Sequence, residues 1–328
     1  MDFENKKEII ISELETMSKK EAIEKNFFKT RAYRKVIDQL KLIEIIKNMD
    51  DLRDVSGIGT KIKAKLEEIF KTGKLKSAEK ARAIGEISIY DALLKIHGIG
   101  IVKAKELIKI GIDSIEKLND ELLKSPNILN EKQKIGLKYH LDTQLRIPRK
   151  EMEKHAKKLS KFLFDYDIDC DLEVKVVGSY RRGAKDSGDI DLLLTVNRNI
   201  NIDKRTKIFK KFLQVLKDEE YLLEDIASGQ KKYMGIARLN KKTPARRIDI
   251  LMTSQDEYPF ALLYFTGDFQ INIALRKKAT ELNLVLNEYK LKGLSKDVKL
   301  TSEKDIFHYL GFKYLQPKDR NIQNLQDL

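Results

Sequence analysis

The stretch GSYRRGAKDSGDIDLLLT, residues 178–195, combines a glycine-rich basic segment with two aspartates that begin an apolar run. Side chains alternate between the faces of a β-strand, so Asp189 and Asp191 project from one face while Ile190 points toward a core. Two carboxylates held this close together call for a cation. The spacing predicts a strand whose first residues carry a cation site, the alternative being a surface strand with solvated aspartates.

The segments around this stretch predict a sheet. Short apolar windows bounded by glycine or charge occur at 171–180, 231–239 and 246–252, whereas residues 203–222 have a helical period. From residue 171 onward we therefore predict a sheet with crossing helices. The segment RIPRK around Pro148 predicts a hinge before it, because proline disfavours a continuing helix.

A third carboxylate and a loop complete a phosphoryl-transfer pattern. Asp249, in RRIDILM, is again flanked by apolar strand residues. Three carboxylates that converge on two Mg²⁺ ions are what an in-line phosphoryl displacement needs. The loop before the paired aspartates has small residues, a hydroxyl and a guanidinium that suit a triphosphate: Gly178, Ser179, Arg182 and Gly188.

The N-terminal half has a different pattern. Apolar residues recur at spacings of three and four in residues 7–17, 30–49 and 88–96, and no proline precedes Pro126. These windows predict helices throughout this half.

One internal repeat lies in the helical half. VSGIGTKIKAKLEEI (55–69) and IHGIGIVKAKELIKI (96–110) each place Gly-Ile-Gly before a lysine-rich amphipathic helix. This is a helix-hairpin-helix pattern, in which backbone N–H groups at a helix N-terminus face a phosphate oxygen. One copy alone is typical of an ordinary turn, but two copies followed by lysines indicate a grip on one duplex backbone. The glycines concerned are Gly57, Gly59, Gly98 and Gly100.

Composition sets the class of protein. The 328 residues carry 65 Lys and Arg against 51 Asp and Glu, a net charge of +14, which favours a polyanionic partner. A single cysteine, Cys170, cannot form an intramolecular disulfide, and four histidines lack zinc-ligand spacing. We expect a reducing, intracellular setting, and no apolar run approaches the roughly 18 residues of a membrane helix.

Several segments together resemble the family X DNA polymerases of the beta type. They are RAYRK (31–35), SGIGTKIKAK (56–65), GSYRRGAKDSGDIDLLLT, RRIDI (246–250), YFTGDFQINIALR (264–276), LNEY (286–289) and SEKDIF (302–307). The resemblance implies an all-α N-terminal half with two helix-hairpin-helix motifs, followed by an α+β nucleotidyltransferase-type catalytic domain with a mixed sheet. Four parts are expected: a lyase domain (1–84), a duplex-binding subdomain (85–147), a palm (148–254) and a nucleotide-selecting subdomain (255–328).

The resemblance assigns roles to the polymerase residues. Asp189 and Asp191 would bind both Mg²⁺ ions, with Mn²⁺ as a substitute, and Asp249 would bind the catalytic ion. Arg146, Ser179, Arg182 and Gly188 would hold the triphosphate. Tyr264, Phe265 and Gly267 would border the sugar, while Asn272 would contact the incoming base and Arg276 the template side.

A second activity is implied near the N-terminus. Lys65 matches the family's Schiff-base nucleophile for an abasic sugar, and a neighbouring cation would lower the pKa of such a lysine. Lys29, Tyr33, Arg53 and Lys61 match a 5′-phosphate pocket. Without the resemblance, these lysines are typical of a solvated helix face.

The resemblance also implies two monovalent ions, and the chain departs from the family pattern at four positions. A Na⁺ or K⁺ ion at each hairpin would be held by backbone carbonyls of Arg53, Val55 and Ile58, and of Leu94, Ile96 and Ile99. Phe28, Leu251, Phe269 and Ile273 replace residues that are charged or ionisable in the beta-type pattern, so neither fidelity nor lyase strength carries over.

The main hypothesis is a monomeric, template-directed, gap-filling DNA polymerase with 5′-deoxyribose phosphate lyase activity in base excision repair. Its partners would be gapped DNA with a 5′ phosphate and deoxynucleoside triphosphates, in a nucleus or a viral factory, and not a membrane. The alternatives are a template-independent nucleotidyltransferase and a catalytically silent DNA-repair scaffold. Asn272 and Arg276 favour a template, and a scaffold would not require three matching aspartates.

Overall fold

The computed structural model describes residues 5–24, 26–83, 86–166, 168–169, 171–295, 297–321 and 324. The chain divides into two compact units, residues 1–136 and 137–328. Cys170 and the expected boundary at 84/85 lie outside the described residues, and the four-part division stays a prediction. Among the helices of the described ranges, none is long and apolar enough to cross a bilayer.

The first unit is helical, as predicted. Its helices are α1 (Lys7–Ile23), α2 (Phe27–Leu42), α3 (Thr60–Thr72), α4 (Lys76–Ala83), α5 (Glu86–Leu94), α6 (Ile101–Lys109), α7 (Ile115–Lys124) and α8 (Glu131–Lys138), the last of which crosses into the second unit. Short 3-10 helices occupy Met49–Leu52 and Pro126–Ile128.

Helix α2 is shorter than the predicted window, which ran to Met49. It ends at Leu42, and the chain continues extended from Ile43. The backbone of Ile46 accepts a hydrogen bond from Lys6 N at 2.8 Å and donates one to Asn5 Oδ1 at 3.0 Å. Pairing with the segment before α1 therefore replaces helical hydrogen bonds here.

The second unit combines helices with strands. Its helices are α9 (His140–Gln144), α10 (Arg149–Asp165), α11 (Gly178–Arg181), α12 (Ile202–Asp218), α13 (Tyr258–Thr266), α14 (Phe269–Glu281) and α15 (Glu303–Tyr309), with a 3-10 helix at Pro317–Asp319. Its strands are β1 (Ile147–Pro148), β2 (Leu172–Val176), β3 (Asp186–Ser187), β4 (Ile190–Val196), β5 (Leu222–Ser228), β6 (Lys232–Ala237), β7 (Arg246–Thr253), β8 (Val285–Leu286) and β9 (Leu291–Lys292).

The central sheet is mixed, in agreement with the predicted fold class. Its strand order is β2-β4-β7-β6-β5, with β4 and β7 parallel and the other neighbours antiparallel. One face packs on a core that includes Leu192 and Leu194 together with Leu159 of α10 and Phe212 of α12. The opposite face places Leu193 and Leu251 against α13. Both faces are covered, so β4 is almost continuously apolar after Asp191.

The segment around Pro148 is paired rather than free. Ile147 and Pro148 lie opposite Ser187 and Asp186 in a two-stranded ladder. Arg149 N donates to Lys185 O at 3.0 Å, which ties the start of α10 to the loop before β4.

Candidate active site

Two neighbouring parallel strands carry the predicted carboxylates. Asp191 on β4 lies directly opposite Asp249 on β7 in the strand register, and Asp189 immediately precedes β4. Ile190 and Ile248 are fully buried between them, as the alternation predicted. The fold therefore brings Asp189, Asp191 and Asp249 together.

Burial and mutual repulsion raise the pKa values of two of these carboxylates. Burial raises the pKa of Asp191 to about 8, with the charges of Asp189 and Asp249 adding to the effect and Arg247 and Arg182 opposing it. Burial also raises the pKa of Asp249, against the lowering effect of Arg247 and Lys232. The cluster holds more negative charge than its protein surroundings neutralise.

Arg247 is a cation beside these carboxylates, and the sequence analysis did not single it out. One of its guanidinium nitrogens lies 2.7 Å from Asp189 Oδ2 and 3.8 Å from Asp249 Oδ2. Its position two residues before Asp249 places it on the same face of β7, a signal the sequence contains.

The same carboxylates fit a divalent metal in their chemistry. Among the described residues, no group of three His, Cys, Asp or Glu side chains is placed so that it could hold a metal ion as it stands. Arg247 instead bridges Asp189 and Asp249. Carboxylate oxygens are the ligands that Mg²⁺ prefers, and a cation would relieve the repulsion that raises the pKa of Asp191. Arg247 therefore pairs with two of the three carboxylates that such an ion would need.

A cleft of about 460 Å³ opens in front of the aspartates. It is lined by all three carboxylates, by the residues predicted to contact the sugar and the incoming base, and by the one predicted to contact the template side: Tyr264, Phe265, Gly267, Asn272 and Arg276. Lys232, which the sequence did not single out, is a further wall residue, and Phe269 and Ile273 line the cleft while remaining 71% and 45% exposed.

Helices α13 and α14 fix the wall opposite the carboxylates. Asn272 Nδ2 donates to Tyr264 O at 2.8 Å, and the Arg276 guanidinium lies 5.0 Å above the Tyr264 ring. Phe265 packs edge-on against Tyr264, with ring centroids 5.5 Å apart. Asn272 and Arg276, four residues apart on α14, therefore share one face and are held by the same tyrosine.

The predicted triphosphate loop is ordered by its own contacts. Ser179 Oγ donates to Ser187 Oγ at 2.8 Å, and Arg182 Nη1 donates to Thr266 O at 2.6 Å, next to Gly267. Arg146 is held by Asp186 at 2.8 Å. These groups border the carboxylates but do not line the cleft.

Glycine is required at Gly178 and favoured at Gly188. Gly178 has φ +59°, and a Cβ there would lie 2.0 Å from Asp191 Oδ2. A Cβ on Gly188 would lie 2.9 Å from Nη1 of Arg146. The backbone thus approaches the functional side chains more closely than any larger residue allows.

Leu251 lies on the same side of β7 as Asp249 but is fully buried. It packs with Val177, Leu193 and Ala261 beneath α13. The position is a core position in this chain, and the guanidinium beside the aspartates comes from Arg247 instead.

The two repeats of the first unit form matching hairpins. Gly57 and Gly98 have φ +94° and +86°, and Gly59 and Gly100 are the N-cap residues of α3 and α6. The predicted ion-binding carbonyls lie in these turns, where Ile96 O also accepts a hydrogen bond from Ile99 N at 3.0 Å. The ion sites themselves stay predictions.

A cavity of about 430 Å³ adjoins the first hairpin. Lys29, Tyr33 and Lys61 line it together with Gly57 and Gly59. Lys29 is 3.1 Å from Glu21, and burial, with a smaller effect of Glu21, raises the pKa of Tyr33 to about 12. Three of the four residues predicted to bind a 5′ phosphate, Lys29, Tyr33 and Lys61, thus lie around one cavity.

Two predicted residues lie outside this cavity. Lys65, half-buried, is one helical turn beyond Lys61 on α3, and Arg53 is exposed and paired with Asp50 at 2.8 Å. Phe28, at the start of α2, is 93% exposed. The Schiff-base role of Lys65 stays a prediction.

Sequence comparisons agree with this architecture. Residues 5–75 match a helix-hairpin-helix domain, 91–144 the fingers domain of DNA polymerase lambda, 146–255 the DNA polymerase beta palm and 261–321 the DNA polymerase beta thumb. The mixed sheet with its carboxylate cluster defines a nucleotidyltransferase-type catalytic domain. With all four parts in this order, the chain belongs to family X of the DNA polymerases.

Individual relatives are similar over most of the chain. DNA polymerase lambda of Arabidopsis thaliana is 29% identical over 84% of the chain, and that of Rattus norvegicus 28% over 95%. DNA nucleotidylexotransferase of Xenopus laevis is 26% identical over 83%. The chain spans 55%, 56% and 60% of these relatives' own lengths.

Proposed function

We propose that this protein is a template-directed DNA polymerase that fills short gaps, using deoxynucleoside triphosphates and two Mg²⁺ ions. The observation that carries the proposal is the placement of Asp189, Asp191 and Asp249 in one cleft, opposite Asn272 and Arg276. The matched palm and thumb models support the same assignment.

The family resemblance gives each of these residues a role. Asp189 and Asp191 would hold both ions, and Asp249 the ion at the primer end. Bound Mg²⁺ would neutralise the charge that develops on the phosphate and favour deprotonation of the primer 3′ hydroxyl. Arg182 and Ser179, beside the cleft, would hold the phosphates, and the Tyr264–Gly267 backbone would border the sugar.

The use of a template is the point at which two candidate functions differ. Asn272 and Arg276 present an amide and a guanidinium to the cleft, which suits contacts with a base pair. The similarity to the Xenopus nucleotidylexotransferase supports the template-independent candidate.

Primer extension in Mg²⁺ on a one-nucleotide gap, compared with extension of the primer alone, separates the candidates. We expect incorporation of the complementary nucleotide on the gap and little on the single strand. Equal extension of both substrates would favour the template-independent candidate, and no extension of either would favour a scaffold.

We infer a second activity, 5′-deoxyribose phosphate lyase, in the helical unit. The Nζ of Lys65 would attack the C1′ aldehyde of an abasic sugar with loss of water to give a Schiff base. Loss of a C2′ proton would then break the C3′–O3′ bond and release the downstream strand with a 5′ phosphate, and water would free the sugar from the lysine. The cavity lined by Lys29, Lys61 and the hairpin glycines would hold the 5′ phosphate.

The affinity for a gap tests this phosphate pocket. We expect tighter binding to a gap with a 5′ phosphate than to one with a 5′ hydroxyl, and a steep decrease of affinity with salt. Equal affinity for the two ends at low and moderate salt would contradict the pocket.

We further propose that the protein acts in base excision repair as an intracellular monomer. Na⁺ or K⁺ ions would be bound at its two hairpins.

A further inference from the structure

A second polar cavity lies at the far end of the two strands that carry the aspartates. Val196 and Thr253, the last residues of β4 and β7, line it. At about 3.3 Å per residue, the five steps of β4 from Asp191 to Val196 span roughly 16 Å. This cavity is therefore separate from the catalytic cleft.

Size and lining restrict what this cavity can hold. Its volume is about 110 Å³, roughly a quarter of that of the 460 Å³ cleft. A cavity needs about 10–15 Å³ of accessible volume for one water molecule, so this one has room for several waters or for a tetrahedral oxyanion in their place, and is small for a nucleoside. Besides one carboxylate, its polar lining has two arginines, two amides and two hydroxyls: Arg198, Asn199, Arg205, Thr253, Ser254 and Gln255.

The two arginines differ in what they contact. Arg198 is neutralised, because it donates to both Asp169 and Asp171. Arg205, near the start of α12, has a buried Nε with no hydrogen-bond partner among the residues that the structure describes. An unsatisfied buried donor on a cation is costly and calls for an acceptor.

The nearby carboxylates do not satisfy that need. Glu257 is engaged by Lys231 at 2.8 Å and by Ser254 N at 3.0 Å, and Arg205 acts on it through charge, as the smallest of the influences that lower the pKa of Glu257. Asp256 lines the cavity but is exposed to solvent. Its charge opposes an anion and would weaken binding.

We propose that this cavity binds a phosphate-type oxyanion, with the Arg205 guanidinium as its main contact and Ser254 and Asn199 as further donors. Guanidinium groups pair with tetrahedral oxyanions through two parallel hydrogen bonds, a geometry that ammonium groups lack. The inference does not depend on the proposed catalytic activity.

The test is a titration of the metal-free, full-length protein with orthophosphate by calorimetry. Arg205→Gln should weaken the affinity of this cavity for orthophosphate by about tenfold, the loss expected for one charge-assisted contact. Lys204→Gln, which removes an exposed neighbouring charge, should bind as the wild type does. Other phosphate-binding groups are common to all variants, so the difference between variants isolates this cavity.

Two further variants and one further ligand make the test specific. Asp256→Asn should tighten phosphate binding, and Arg205→Lys should bind less tightly than the wild type while keeping the charge and fold. Binding of a nucleoside monophosphate should depend less on Arg205 than binding of orthophosphate does, since its nucleoside does not fit in the cavity. Identical phosphate binding by the wild type, Arg205→Gln and Arg205→Lys would overturn the proposal.

Discussion

Gly178 shows how one missing Cβ shapes the site. Because a Cβ there would lie 2.0 Å from Asp191 Oδ2, Gly178→Ala must displace the carboxylate or the turn. We expect single-turnover nucleotide incorporation to decrease by about 10²-fold, the usual effect of a displacement near 1 Å.

Gly183→Ala is the matched control. Gly183 also has a positive φ, +81°, but a Cβ there would meet no atom of the described residues within 4 Å. This variant should lose about 1 kcal/mol of stability and keep nearly normal incorporation. Equal losses of incorporation in the two variants would show that backbone strain, and not contact with Asp191, is responsible.

Arg247 competes with a metal for the same carboxylates. Removal of its charge in Arg247→Gln should tighten Mn²⁺ binding without nucleotide by about fivefold, the factor that corresponds to roughly 1 kcal/mol for a partly exposed ion pair. Electron paramagnetic resonance of free Mn²⁺ measures this directly. Unchanged or weaker binding would mean that Arg247 supports the metal site instead of opposing it.

Helix α10 carries a buried histidine that makes folding sensitive to pH. His155 lies 2.8 Å from the Tyr221 hydroxyl, and burial lowers its pKa to about 4, against the opposing effect of Glu151. Between pH 6.5 and 4 the unfolded chain therefore binds a proton that the folded chain does not. The free energy of unfolding should decrease by about 3 kcal/mol as the pH falls through this range.

Urea unfolding at pH 7 and pH 4 measures this effect. His155→Gln cannot be protonated, so its stability should decrease less over the same range than that of the wild type. Parallel decreases in the two proteins would assign the acid sensitivity to the carboxylates alone.

Helices α11 and α15 are joined by a buried ion cluster. Glu303 accepts hydrogen bonds from Arg181 at 2.7 and 3.0 Å and from Arg320 at 2.7 Å. Burial alone would raise the pKa of Glu303, but the two arginines hold it below its usual range.

Removal of the Glu303 charge should leave two guanidinium groups without their counter-charge. We expect Glu303→Gln to lower the free energy of unfolding by about 3 kcal/mol, measured by urea denaturation. Glu281→Gln, which breaks an exposed pair with Lys278, should change it by less than about 1 kcal/mol. Similar small losses in both variants would mean that the buried cluster is not stabilising.

The elements could be predicted from sequence where one local pattern dominates. Strands β4 and β7 follow from alternation and apolar runs, and α3 and α6 from the repeated Gly-Ile-Gly. Strand β5 was missed because register shifts near Leu222 and Asp225 break its alternation. The end of α2 was missed because its cause, pairing of Ile46 with residues before α1, is distant in sequence.

Across the folded chain, the sequence motifs predicted the carboxylate cluster but not the cations that lie beside it. Asp189, Asp191 and Asp249 converge as predicted, since parallel pairing of β4 and β7 aligns them. Lys232 lines the cleft and Arg247 pairs with Asp189 at 2.7 Å, and only the structure shows that these cations lie beside the carboxylates. The pairing of Arg181 with Glu303, 122 residues apart, has no local signal at all.

We expect nucleotide transfer to depend on the aspartates of the sheet, and sugar removal on the helical unit. The measurement is Mg²⁺-dependent incorporation together with borohydride trapping, both on one gapped substrate with a 5′-deoxyribose phosphate. Asp249→Ala should lose incorporation by several orders of magnitude and keep trapping, because metal-site electrostatics supply several kcal/mol to phosphoryl transfer. Lys65→Ala should do the reverse. Appreciable incorporation by Asp249→Ala, or undiminished trapping by Lys65→Ala, would contradict the account.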